Sequence, residues 1–150
     1  MAKLSYGADS PLSPDVIVKG ASDFTERRPT IWPSISDRYY KVHEVAGTSA
    51  DVTEGSDVFG GIWARELYDW SQQNTVRATI QESNIFKQGG VWELQVEGTD
   101  RGSTVEIRYH RQAKGLKGHL IGALTQLMGR RVLSRDLKKT LAILERDARS

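Results

Sequence analysis

From residue 91 onward the chain alternates cleanly between apolar and polar positions. Trp92, Leu94 and Val96 fall on one face of a strand, and Glu93, Gln95 and Glu97 on the other. Gly98 to Gly102 turns the chain, after which Val105, Ile107 and Tyr109 oppose Thr104, Glu106, Arg108 and His110. A period of two predicts antiparallel strands with one buried and one wet face. The period then changes. Leu116, Leu120, Ile121, Leu124, Leu127, Met128, Val132, Leu133, Leu137, Leu141 and Leu144 follow one another mostly at steps of three or four. That spacing predicts a single amphipathic helix over Gly115–Arg146, with no proline to interrupt it. At about 1.5 Å per residue it would be roughly 45 Å long, so it must cross something wide.

The earlier part of the chain supplies the rest of a sheet. Leu4 and Tyr6 alternate with small or polar residues, which predicts a first strand over Ala2–Ser10. Ser13-Pro14-Asp15 is a helix start, with serine as N-cap and proline at the first position. Gly20 is expected to end that helix after about two turns. Asp23 with Glu26 resembles a capping box, so a second short helix is expected there, stopping before Pro29. Ile31-Trp32-Pro33 then forms an apolar plug. Tyr39–Ala46 and Ser49–Glu54, separated by Gly47-Thr48, predict a hairpin. Ile62–Trp70 and Thr75–Gln81 are the next strands, divided by Ser71-Gln72-Gln73-Asn74.

The order is one strand, two short helices, six strands and a long helix. It predicts an α+β fold in one domain over 1–150: a curved, seven-stranded antiparallel sheet wrapped around the C-terminal helix. A cavity is expected where a straight rod meets a curved sheet. Composition narrows the chemistry. With 21 basic and 19 acidic residues the net charge is only +2, so no nucleic-acid partner is expected. There is no cysteine, which excludes disulfides and thiol nucleophiles and fits a reducing compartment. No apolar run is long enough to span a membrane, and the N-terminus lacks the apolar core of a signal peptide. Stable membrane insertion is therefore not expected, and the cytoplasm is the expected location. The oligomeric state stays open.

Several strings resemble the START-like helix-grip superfamily (SRPBCC), in its polyketide cyclase/dehydrase and lipid-transport branch. They are Ser13-Pro14-Asp15-Val16, Asp23-Phe24 through Ile31-Trp32-Pro33, and Ala50-Asp51-Val52-Thr53-Glu54-Gly55. Arg65-Glu66-Leu67-Tyr68-Asp69-Trp70 and Gly115-Leu116-Lys117-Gly118 complete the set, which covers essentially the whole chain. The resemblance implies a hydrophobic cavity between sheet and helix that takes a small hydrophobic or amphipathic ligand of lipid, polyketide or isoprenoid type. It also implies an alternative, an aromatase/cyclase using the same cavity, so whether the chain is an enzyme stays open. No cofactor is implied.

The expected cavity wall is Trp63, Tyr68, Trp70, Trp92, Leu94, Tyr109, Leu116, Leu120 and Leu124. Strand 62–70 is ambiguous, because each of its faces mixes apolar and charged residues. If Ile62, Ala64, Glu66, Tyr68 and Trp70 point inward, a carboxylate and a phenol enter the cavity and can orient a ligand. Glu66, Tyr68 and His119 are the catalytic candidates, weighed against an ordinary structural role for each. His43, His110 and His119 have no metal-ligand spacing, and no metal is expected. No serine sits in a nucleophile elbow. Gly115, Gly118, Gly122 and Ala123 thin the helix start, either leaving room for a ligand or allowing close packing, and Gly129 suggests a bend. Pocket-lining residues are thus expected before about Gly129, with plain packing from Val132 to Leu144. Arg130, Arg131, Arg135, Lys138 and Lys139 read as a solvated face, the alternative being contact with an anionic membrane or an RNA.

Overall fold

The computed structural model describes residues 2–149. Its elements are β1 (Ala2–Ser10), α1 (Pro14–Ala21), α2 (Arg28–Ile31), β2 (Lys41–Ala46), β3 (Ser49–Ser56), β4 (Ile62–Asp69), β5 (Thr75–Ser83), β6 (Val91–Thr99), β7 (Gly102–Arg111) and α3 (Gly115–Ala148). A single 3-10 turn, Val58–Gly60, joins β3 to β4. The seven strands form one open antiparallel sheet in the order β1-β7-β6-β5-β4-β3-β2. Sequential hairpins build six of the strands, and β1 crosses over to pair with β7, Leu4 opposite Tyr109 and Tyr6 opposite Ile107. The α+β expectation holds, and so do the seven strands, the two short helices and the long final helix.

Alternation decides which face is buried. Val76, Ala78 and Ile80 of β5, Leu94 and Val96 of β6, and Val105, Ile107 and Tyr109 of β7 are all buried on the α3 side. Arg77, Glu97, Thr104, Arg108 and His110 face solvent. The ambiguity in β4 resolves the same way: Ala64, Glu66 and Tyr68 are buried, and Leu67 and Asp69 are exposed. The inward row of β3 is Ala50, Val52 and Glu54.

The short helices depart from expectation in their caps. Ser13 has the extended backbone of an N-cap, but its side chain makes no capping bond, and Pro14 opens α1. The helix ends after about two turns, as expected, at Ala21, one residue past Gly20. Gly20 is buried under Leu144 of α3, whose side chain would lie 2.6 Å from an added Cβ, so glycine also serves close helix packing there. Asp23 caps no helix either; its carboxylate accepts from the backbone N–H of Thr25 at 2.9 Å, a local turn. The second helix starts at Arg28 instead, and Pro29 lies in its first turn. A proline there suits the fixed φ and the missing donor of a helix start, which is why it begins the element it was expected to stop.

The orientation of α3 is the main correction. Its buried line is Gly118, Ile121, Gly129, Leu137, Thr140, Leu141 and Leu144. The N-terminal leucines point the other way: Leu116 is 89% exposed, Leu120 62% and Leu127 81%. Small residues, not large ones, let this half approach the sheet. A Cβ on Gly118 would sit 2.4 Å from the carbonyl oxygen of Ile85, and one on Gly129 would sit 3.2 Å from Leu4 Cδ1 of β1. Close packing therefore accounts for these glycines, and α3 runs unbroken through Gly129. No helix among the described residues is long and apolar enough to cross a membrane.

Candidate functional site

A cavity of about 1110 Å³ lies between the inner face of the sheet and α3. That is just above the roughly 300–1,000 Å³ usual for small-molecule sites. Its apolar wall includes Trp32, Trp92, Phe86, Ile107, Ile121 and Leu133. The exposed members of the lining mark its mouth: Pro33, Ser34 and Asp37 before β2, Asp57, Val58 and Phe59 after β3, and Val132 and Lys139 on α3. Phe59 has a left-handed backbone, φ 52°, and is 58% exposed at this rim. Lys117 ties the rim turn to α3 by donating from Nζ to the Gly61 carbonyl at 2.8 Å.

Two ion pairs are buried in the cavity wall. Arg28 Nε donates to Glu54 Oε2 at 2.8 Å. Its Nη1 donates to the carbonyls of Ala21 at 3.0 Å and Asp23 at 3.2 Å, which ties the end of α1 to β3. The Tyr68 hydroxyl donates to the other oxygen of Glu54. The Arg28 guanidinium also lies 4.3 Å from the Phe24 ring centre and 5.1 Å from that of Tyr68. The second pair joins Arg111 Nη2 to Glu66 Oε1 at 2.7 Å, with the guanidinium stacked 4.8 Å from the Tyr109 ring centre and 5.1 Å from that of Phe86. A buried charge persists only when paired and hydrogen-bonded. Arg28 meets that condition, while Arg111 is paired through Nη2 and leaves its buried Nε without a partner among the described residues.

The titration of these groups follows from their burial. Loss of water raises Glu66 above its ordinary 4.5, against the pull of Arg111. Burial raises Tyr68 well above 10, and the charge of Glu54 adds to it. Burial alone would lower Arg28, but Glu54 outweighs it and holds the guanidinium firmly charged. Tyr6, also in the lining, is pushed up to about 12 by burial. The phenols therefore stay protonated at neutral pH and remain donors.

Of the nine expected wall residues, Trp63, Tyr68, Trp92 and Tyr109 border the cavity. Trp70 packs on Phe24 with ring centres 5.5 Å apart, and Leu94 is fully buried in the core beside it; neither reaches the cavity. Leu116, Leu120 and Leu124 do not line it either, because α3 presents Ile121, Thr125, Val132, Leu133, Asp136 and Leu137 instead. The lining thus continues beyond Gly129, against the expected division of the helix. Glu66 is inside, whereas His119 is exposed on α3 and away from the lining. His43 is exposed, its Nε2 2.8 Å from Thr53 Oγ1.

Arg28, Glu54 and Arg111 were not among the expected residues. Two of them had a signal. Glu54 continues the inward row Ala50–Val52, and Arg111 continues Val105–Ile107–Tyr109, so period two places both on the buried face. Arg28 opens a helix of only four residues, too short for periodicity to say which way it points.

No protein-family model matches the chain, and no curated protein matches it. Solved structures do. A protein from Thermus thermophilus superimposes with TM-score 0.77 at 15% identity, covering 97% of each chain. The Zhui aromatase/cyclase from Streptomyces sp. R1128 gives 0.76 at 15% identity, over 99% of this chain and 96% of that one. A START superfamily protein from Mycobacterium smegmatis gives 0.76 at 13% identity, over 97% and 99%. At such identities the likeness establishes the fold alone: the chain has the START-like helix-grip fold.

Proposed function

With the helix-grip fold as its frame, we propose that the chain binds one small, largely apolar molecule of lipid, polyketide or isoprenoid type between sheet and helix. The observation that carries this is the cavity itself, about 1110 Å³ walled by aromatic and aliphatic side chains around a buried polar cluster. Burial of apolar surface would supply affinity, about 25 cal/mol per Å². Trp63, Tyr68, Trp92 and Tyr109 are the contacts, and Glu66, Tyr68 and Arg111 set orientation. In this reading the partner is the small molecule, not a nucleic acid, and the compartment is the cytoplasm. The test is a titration of the protein with the neutral dye Nile red, alongside native mass spectrometry of the purified chain. Saturable binding of one dye per chain is expected, weakened by Val132→Trp, which narrows the mouth at a half-exposed position. Absence of saturation in the folded protein would sink the proposal.

A second reading, an aromatase/cyclase-type enzyme, is favoured by the titratable Glu66 and Tyr68 in the cavity wall and by the likeness to the Zhui enzyme. A carboxyl raised by burial can hold or deliver a proton to a bound polyketone. Turnover of an aromatisable polyketide lost in both Glu66→Gln and Tyr68→Phe, with ligand binding kept, supports it. Turnover unchanged in both rules those residues out.

A further inference from the structure

We propose that the buried end of the cavity accepts an electrically neutral, oxygen-bearing group, a carbonyl or hydroxyl, and discriminates against carboxylates and phosphates. This rests on the ligand-binding reading and narrows it to a chemical class.

The charges of the cavity carry the inference. Its deep part holds two guanidinium groups, Arg28 and Arg111, and two carboxylates, Glu54 and Glu66, so its formal charge is zero. Neither cation is free. Arg28 already binds Glu54 at 2.8 Å, and Arg111 binds Glu66 at 2.7 Å. The mouth adds Asp37, Asp57 and Asp136 against Lys139. The whole lining thus has three cations against five carboxylates, a formal charge of −2. Arg38, 4.0 Å from Asp57, lies outside the lining with its side chain 77% exposed, where water and salt screen it.

A carboxylate entering this space gives up its hydration, which costs several kcal/mol unless a partner replaces it. Each deep guanidinium is already neutralised by a carboxylate, so an anion would lie beside Glu54 and Glu66 with no uncompensated charge to meet it, while the unpartnered Arg111 Nε can still donate to a neutral oxygen. A carbonyl or hydroxyl carries no such penalty and needs only a hydrogen bond. Of the three phenols in the lining, Tyr68 is committed to Glu54, which leaves Tyr6 and Tyr109 as the groups placed to serve it. Burial keeps both protonated, so each has a hydroxyl hydrogen to donate.

The test compares ligands that differ in that group alone: 2-acetylnaphthalene against 2-naphthoate, and 1-acetylpyrene against 1-pyrenecarboxylate, at neutral pH. Quenching of tryptophan emission reports binding, since Trp32 and Trp92 line the cavity. In at least one pair the ketone is expected to bind about tenfold or more tightly than the carboxylate, a difference of about 1.4 kcal/mol. Equal or tighter binding of the carboxylates overturns the proposal, and so does binding of neither ketone while Nile red still binds. Loss of Nile red binding as well would instead condemn the ligand-binding reading. Glu66→Gln releases the Arg111 guanidinium from its carboxylate, so the folded variant should narrow the preference for ketone. A preference unchanged in that variant also counts against the assignment.

Discussion

Single residues set both the stability and the polarity of the cavity wall. Arg28 is 2% exposed and bridges α1, α2 and β3 through Glu54 and two backbone carbonyls. Removing one partner of such a pair leaves the other charge buried and uncompensated. Arg28→Met or Glu54→Gln should therefore cost about 3–5 kcal/mol in a urea melt. The double variant should cost less than the sum of the singles. Two other carboxylates should respond to pH in opposite senses. Burial raises Glu66 above 4.5, so its contribution to stability is full below that value and is lost as pH rises through the raised one. The hydrogen bond from Arg65 lowers Asp51 below 3.8, so its contribution is present above that value and is lost as pH falls through the lowered one. Unfolding free energies against pH, wild type minus Glu66→Gln and wild type minus Asp51→Asn, should slope downward and upward respectively as pH increases. Two slopes of the same sign would contradict one of the assignments, and the sign says which.

At the scale of elements, the strands were legible because every second residue carries the signal, and turn residues punctuate them. The long helix was legible as a helix but not in its rotation. Its N-terminal end carries Leu116, Leu120, Leu124 and Leu127, and apolar spacing alone favours burying the leucines. The structure buries Gly118, Ile121 and Gly129 instead, since only small residues fit against the Ile85 carbonyl and β1. That preference depends on a backbone 33 residues upstream in the chain, which no local pattern encodes. The helix glycines provide the check. Gly122→Ala places a methyl 3.7 Å from the Ala113 Cβ, ordinary contact, and should stabilise by up to about 1 kcal/mol through helix propensity. Gly118→Ala drives its methyl to 2.4 Å from the Ile85 oxygen and should lose about 1–3 kcal/mol despite the same propensity gain. Leu116→Glu and Leu127→Glu, at outward positions, should change the melting free energy by no more than about 0.5 kcal/mol. A loss of several kcal/mol there would return those leucines to the interior.

For the whole molecule, architecture followed from element order, whereas the site did not. Glu54 and Arg111 were available from strand parity, but their pairing with Arg28 and Glu66 exists only once strands and short helices come together in three dimensions. The strand order has a further consequence, in time. Every neighbouring pair from β2 to β7 is a local hairpin, while β1 must find β7, with Ala2 opposite Arg111. Closing so long a loop is entropically costly until the rest of the sheet exists. We predict that β1 docks after the main folding barrier. Leu4→Ala should then speed unfolding and leave refolding nearly unchanged, while Val76→Ala in the central β5 should slow refolding. Stopped-flow kinetics distinguishes these, and a Leu4→Ala variant that refolds slowly would refute the order. During synthesis, at about 5–20 residues per second, the first strand made would wait several seconds for its partner to leave the ribosome. Through that interval β1 is an unpaired strand with alternating apolar residues, and the exposure of the nascent chain to mispairing is set by how quickly β7 follows.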